Sequence, residues 1–297
     1  ILHFIFCILL YFIYFDTVLN INIHNKMKNC INILCVEPKE IMLDFCDQMY
    51  DYFQKKKLDY TIYITVDNAV TKEEYRETGK YKFIIMDHLE ATKKGYKDSL
   101  LRYYHRKDTK TKSMALDKSL YYFSKHNNYD NYWLIEEDVF IPSVKTIPQL
   151  DKKYGKADLL VGGNGKNEDG NMDWHWPLMV KNNKSRDYKL KRKKASVSKD
   201  YYLPLPWYNS FCQVVRISNK MIQVIENFVK KNKTLIFMEF MFNTLAMHHH
   251  LELKTVEEFK LKYDDDSSDS AFKKKDIRIK NLYHYIKNPE IQRQYRK

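Results

Sequence analysis

"NYWLIEEDVFIPS", residues 131–143, decides how this chain is read. Tyr132, Trp133, Leu134 and Ile135 form the bulky apolar run of a buried strand. Glu136, Glu137 and Asp138 follow without a break, and Val139, Phe140 and Ile141 return to apolar character. Adjacent acids repel one another, and burying a carboxylate is costly unless it is paired or holds a metal. One reading makes the three acids the solvated end of a strand. The other makes them ligands for a hard divalent cation, Mn2+ or Mg2+. Such ions take oxygen donors and often use only one or two protein carboxylates beside phosphate. The carboxyl end of a strand is also where open α/β sheets bind ligands. Alternation along the strand puts Glu136 and Asp138 on one face and Glu137 on the other, so Glu137 is expected to be structural.

Working outward from this stretch, residues 31–37 ("INILCVE") predict a first buried strand. Residues 38–57 predict a helix with Pro38 in its first turn and Ile41, Phe45, Met49 and Phe53 at helical spacing. Strands are predicted over 59–67 and 80–87, a helix over 113–127 with Leu116, Leu120 and Phe123 on one face, and a fourth strand over 132–141. Strand–helix alternation with short connections predicts an α/β layer with a mostly parallel sheet flanked by helices. The second half is mixed. It has a strand over 156–164 ending in a glycine pair, a polar basic loop over 181–200 and a strand over 211–218. A helix over 219–233 capped by Asn219, a helix over 237–250 and a charged loop over 264–275 complete it. No repeats occur.

The 297 residues, 44% of them hydrophobic, are enough for one large domain or one domain with an appended subdomain. Net charge is +13, from 51 Lys+Arg against 38 Asp+Glu, which favours anionic ligands. The enrichment in Lys, Asn, Ile and Tyr is also what a biased base composition in the gene produces, so the charge carries little functional weight. The five cysteines, Cys7, Cys30, Cys35, Cys46 and Cys212, include no CxxC pair, which points to a reducing compartment rather than a disulfide framework or zinc site. Residues 1–15 ("ILHFIFCILLYFIYF") are continuously apolar but short for a membrane span, and they lack a basic n-region. Met27 stands directly before the first strand. Residues 1–26 are therefore read as an over-extended gene model and the protein as cytoplasmic. The alternative is a membrane anchor through residues 1–15.

Isolated residues offer further candidates. Asp67 and Asp87 each end a predicted strand, where an acid contacts a base or ribose, or simply makes a turn. Trp174, His175 and Trp176 in "DWHWP", with Trp207 and Tyr208 in "LPLPWYNS", offer aromatic faces for stacking on sugars; a packed loop corner is the plainer reading. Glu239 is a single charge inside the apolar "LIFMEFMFNTLA". It is read either as a general base or as an acid favoured by the positive end of a helix dipole. "HHH" (248–250) is read as a solvated helix end, because adjacent histidines point apart. The basic run Lys189–Lys194 is read as a solvated loop.

The order of parts then acquires meaning. An α/β half comes first, a strand ending in acids follows, and "NLYHYIK" (281–287) stands near the end. This layout resembles the GT-A glycosyltransferases, in which a short acidic motif of the Asp-x-Asp type follows the fourth core strand and binds a divalent metal on the donor diphosphate. "DKSLYYFSK…YWLIEEDVFIPS…LYHYIK" is similar to a family of nucleotide-sugar-dependent glycosyltransferases of eukaryotes and large viruses, over most of residues 30–290.

The resemblance implies a GT-A-like single domain. Residues 27–142 would be its nucleotide-binding half and 143–297 its acceptor-binding and C-terminal half. It implies Asp138 as a direct metal ligand, Glu136 at the ribose, the metal or a metal-bound water, and His284 completing the site. It implies Asp117 and Lys118 near the donor, and Glu239 as the base of an inverting transfer. The expected partners are a nucleotide-sugar donor and a glycan, protein or small-molecule acceptor. No nucleic acid is expected, and a membrane only if residues 1–26 are an anchor. The competing readings are a nucleotidyl- or phosphotransferase, disfavoured by the absence of a P-loop or Gly-rich fingerprint, and a basic nucleic-acid-binding protein, which leaves the three acids unexplained.

Overall fold

The computed structural model describes residues 27–67, 78–99, 113–168, 203–261, 272–284 and 286–297, and these form a mixed α/β fold. The first strands are β1 (Asn29–Cys35), β2 (Tyr60–Val66), β3 (Lys82–Ile84), β4 (Asn131–Glu136), β5 (Val139–Phe140) and β6 (Leu159–Val161). Then come β7 (Gly165–Asn167), β8 (Trp207–Asn209), β9 (Val214–Ser218), β10 (Leu253–Thr255), β11 (Phe259–Leu261) and β12 (Leu282–His284). Seven strands make the central sheet in the order β10-β6-β9-β4-β1-β2-β3. β1 is buried along its whole length and pairs in parallel with β2 and β4. β9 runs antiparallel to both β4 and β6, so the sheet is mostly parallel. The chain steps outward from β1 to β2 and β3, then crosses back to lay β4 on the other side of β1. That reversal opens a crevice at the carboxyl ends of β1 and β4.

Seven α-helices are described: α1 (Glu40–Lys55), α2 (His88–Lys93), α3 (Ala115–Lys125), α4 (Thr146–Tyr154), α5 (Asn219–Asn232), α6 (Met238–His248) and α7 (Pro289–Tyr295). The predicted stripe of α1 is the buried one: Ile41, Phe45, Met49 and Phe53 turn inward, with Cys46 beside them. With Ile147 and Leu150 of α4, the inward side chains of α1 pack on Ile31, Ile33, Trp133 and Ile135 of one sheet face. On the other face, α3, α5 and α6 pack on Cys30, Leu34, Tyr132 and Leu134. Odd and even positions of β1 and β4 thus feed two different core layers, as a strand buried on both sides requires. Cys30, Cys35, Cys46 and Cys212 are buried and unbridged.

Three sequence expectations change. The strand predicted over 132–141 breaks at Glu137 and Asp138. β4 ends in the central sheet, while β5 joins a separate three-stranded sheet, β11-β12-β5. An unbroken apolar run hides this, because both halves are buried. Ser218 rather than Asn219 caps α5, its hydroxyl accepting from the Met221 N–H at 3.3 Å. The strand predicted over 80–87 shortens to β3, and Asp87 begins α2 instead. The predicted loop over 181–200 and most of that over 264–275 lie outside the described residues, as do residues 1–26. Among the described residues, no helix is long and apolar enough to cross a membrane.

A buried ion pair locks the sheet to α4. Arg216 of β9, opposite Trp133 in register, donates to Asp151 at 2.8 Å and to the carbonyls of Tyr154 and Ala157. Trp133 Nε1 and the Tyr60 hydroxyl also donate to Asp151. Arg216 is fully buried, so Asp151→Ala would strand its charge in the core. The expected cost is about 3–5 kcal/mol. Read by thermal melting, that is a fall of roughly 10 °C for a domain of this size. A fall under about 2 °C would mean that water reaches Arg216 on removal of its partner.

Candidate metal centre

The acids sit at the crevice between β1 and β4, and the main chain fixes each in place. The Glu136 N–H donates to the Gln213 carbonyl and the Glu137 N–H to the Leu34 carbonyl, both at 2.9 Å. At Glu137 and Asp138 the chain turns out of the sheet into β5. β12 pairs antiparallel with β5, setting His284 opposite Val139. The Ile286 N–H reaches the Asp138 carbonyl at 3.4 Å. Strand pairing therefore carries His284 to the acids across almost half the chain.

Ligating atoms of Glu136, Asp138 and His284 all lie within 4.8 Å of one another, and among the described residues this is the group that could hold a metal ion. His284 Nε2 stands 3.7 Å from Asp138 Oδ1. That oxygen is buried and accepts no hydrogen bond from the described residues. Two ligands at about 2.1 Å from one ion are at most about 4.2 Å apart, so the three atoms would have to draw together to share one Mg2+ ion. The two carboxylates offer the hard oxygen donors that Mg2+ or Mn2+ takes, while the imidazole is a donor of the kind Zn2+ or Fe2+ takes.

Burial, then the charges of Asp138 and Glu239, push the Glu136 carboxyl up to about 8, against a smaller opposing effect from Lys287. Glu137, in the turn that follows β4, pairs with Lys39 at 3.7 Å. Lys287 Nζ lies 3.4 Å from Asp138 Oδ2. Sequence reasoning misses both lysines, although Lys287 stands three residues beyond His284 in "NLYHYIK".

A cleft of about 170 Å³ opens beside the acids. The ends of β1 and β2 (Leu34–Val36 and Asp67) and the start of α3 (Met114–Leu116) line it with Glu136, Glu137 and Asp138. Of the remaining expected site residues, Asp67 thus faces the cleft, buried at the end of β2. Glu239 is buried in the first turn of α6, near enough for its charge to act on Glu136.

Others have structural tasks. Asp117 is held by the main chain. It is buried at the start of α3 and accepts from the main-chain N–H groups of Met114 at 2.7 Å and Ser99 at 3.2 Å, and burial raises its carboxyl to about 6. Lys118, also buried, donates through Nζ to the Asp67 carbonyl at 2.6 Å, shaping the cleft wall from behind. Asp87 is exposed and caps α2, accepting from the Leu89 N–H at 2.7 Å. Trp207 is buried, donates to the Leu203 carbonyl at 3.2 Å and packs on Phe240, so it is a packed corner rather than a stacking platform. Trp174, His175 and Trp176 lie outside the described residues. Of the histidine run, His248 lies at the end of α6 with Nε2 3.0 Å from the Pro206 carbonyl.

No protein-family model matches the chain, and a search of curated proteins returns no significant match.

Proposed function

We propose that this protein is a metal-dependent glycosyltransferase that moves a sugar from a nucleotide-sugar donor to an acceptor hydroxyl. The single observation that carries the reading is the Glu136–Asp138–His284 group, two of whose members, Glu136 and Asp138, line the cleft. Its placement supports the resemblance in three respects. The acids follow the fourth strand of the sheet, the histidine comes from near the C-terminus, and Glu239 approaches from a helix of the second half.

Asp138, Glu136 and His284 would hold Mn2+ or Mg2+, which when bound neutralises charge on a leaving diphosphate. In the transfer, the bond from the sugar's anomeric carbon to the diphosphate oxygen breaks, and its electron pair leaves with the nucleoside diphosphate. The acceptor oxygen forms the new bond to that carbon, and its proton passes to the Glu239 carboxylate. Asp67 and the wall formed by Leu34–Val36 and Met114–Leu116 would receive the nucleoside. A phosphotransferase also needs clustered acids, but no observation here favours it.

Thermal shift against a panel of nucleotide sugars, with and without Mg2+, tests the reading. Ligands that bind only the folded state raise its melting temperature by mass action. Nucleotide sugars are expected to shift it with Mg2+ and not with EDTA; equal shifts in both would remove the metal from the proposal. The pH dependence of Mg2+ alone has a defined sign. The folded Glu136 carboxyl, at about 8, lies above its ordinary value of 4.5. The stability it contributes is complete below 4.5 and is lost as pH rises through 8. A cation binds the ionised form, so the Mg2+-induced shift should be larger at pH 8.5 than at pH 6.5. An increment that does not change between these values would count against Glu136 as a ligand.

A further inference from the structure

Net charge does not say where lysines gather; the fold does. Lys93 ends α2, and Lys94 and Lys97 follow it. Lys231 lies in the last turn of α5, and Lys233 caps that helix. Two segments distant in sequence thus bring five lysines together, four of them exposed and Lys97 half-buried. The segments are locked side by side. Gly95 takes a φ of +92°, and a Cβ there would stand 2.8 Å from the carbonyl carbon of Lys233, so the close approach needs glycine. The Leu235 N–H then donates to the Lys97 carbonyl at 3.0 Å, and the Met238 N–H to the Ser99 carbonyl at 2.7 Å. Lys125 and Lys230 have carboxylates of their own, Glu90 and Glu226. Lys93, Lys94, Lys97, Lys231 and Lys233 form no ion pair with a described residue, and Asp98, the acid in this stretch, receives the Thr234 hydroxyl at 3.4 Å. Gathered like charges repel, and an anionic surface relieves that repulsion.

Leu89 decides which anionic surface. It is 50% exposed and precedes Lys93 by one helical turn, so the two share a face of α2. An exposed leucine among lysines suits the boundary between lipid headgroups and acyl chains, whereas a nucleic-acid backbone offers it nothing to enter. The patch also has a fixed place. α5 starts beside Ser218, which stands opposite Asn131 at the start of β4, and runs back along the sheet. Its far end, like α2 just beyond β3, therefore lies at the edge of the sheet where the cleft opens.

We propose that this lysine edge is a docking surface for an anionic lipid membrane, with Leu89 entering the headgroup layer. Docking in this way turns the cleft side of the sheet toward the lipid. The proposal stands on the patch alone and does not need the transferase reading.

Co-sedimentation of the full chain with phosphatidylcholine vesicles, with and without phosphatidylserine, tests it. The chain is expected to sediment with the anionic vesicles, not with the neutral ones, and to be released by high salt. Replacing Lys93, Lys94, Lys231 and Lys233 together by glutamine should weaken binding about a hundredfold or more, since each lysine near an anionic surface is worth about fivefold. Leu89→Ser should weaken it by about threefold with the charge unchanged. A charge-matched control replaces the exposed Lys55, Lys56, Lys57 and Lys82 by glutamine and should bind within about twofold of wild type. All three variants should keep the wild-type melting temperature, because the side chains are exposed. Failure of wild type to bind anionic vesicles, equal binding to neutral ones, or an equal loss in the control would overturn the proposal. Tighter binding to poly(U) than to anionic vesicles would also overturn it and make the patch a nucleic-acid surface. Nucleotide-sugar binding in Mg2+ should be the same in all these proteins, so its absence from wild type would end the transferase reading and leave this one standing.

Discussion

Asp138→Asn is expected to abolish Mg2+-dependent binding of nucleotide sugars and to lower transfer at least roughly 10³-fold, the scale of several kcal/mol of lost charge stabilisation. The substitution keeps the shape of the side chain and exchanges an anionic oxygen for a neutral amide. Asp138 Oδ1 accepts no hydrogen bond from the described residues, so its interaction is electrostatic and disappears with the charge. The fold has little reason to suffer. The hydrogen bond that joins this turn to the C-terminal segment uses the main-chain carbonyl of Asp138, which asparagine retains. A melting temperature near wild type, together with lost metal-dependent binding, is the expected pair of results. If Asp138→Asn keeps both metal binding and transfer, the acids of "IEEDVF" are a solvated strand end, and the glycosyltransferase proposal loses its foundation.

Glu239→Gln separates the proposed proton acceptor from the proposed metal ligands. Transfer is expected to fall by roughly 10²–10⁴-fold, the usual weight of general-base catalysis, while nucleotide sugar and Mg2+ still bind. Binding of the ion near neutral pH should if anything improve. The Glu239 charge is one of the causes that hold the Glu136 carboxyl high, so its removal moves that carboxyl down and leaves it more often ionised. The competing account of Glu239 is an acid favoured by the N-terminus of α6, worth about 0.3–1 kcal/mol of stability. Near-normal transfer to a proven acceptor, with a small loss of melting temperature, would establish that account and place the base elsewhere. The two variants should therefore agree in lost transfer and differ in donor binding.

Much of this arrangement is legible in the sequence. The phase of α1 follows from Ile41, Phe45, Met49 and Phe53, since apolar residues at helical spacing have one face to bury. The run from Tyr132 to Ile135 predicts a strand covered on both sides, and β4 is one. Three acids at its end raise the question of a cation before any coordinates do. These are local properties, set by side-chain period and by the cost of removing charge from water.

Partner choice over long range is what the sequence leaves open. The apolar run through Phe140 reads as one strand, because residues buried in two different sheets look alike in one dimension. The tertiary structure decides that the chain turns at Glu137 and Asp138 and that β5 takes β12 as its neighbour. That pairing brings His284 and Lys287 to Asp138. It also makes Asp117 a buried cap and Trp207 a core residue, where isolated motifs suggest ligand contacts. The physical reason is that hydrogen bonding between strands is much the same for any pair of backbones, so which strands meet depends on the whole packed core and on the chain reversal between β1 and β4. Sequence by itself determined the strand, the helix faces and the acids, and the resemblance raised His284 and Glu239 as expectations beside them; only the tertiary structure brought Lys39 to Glu137 and Lys287 to Asp138.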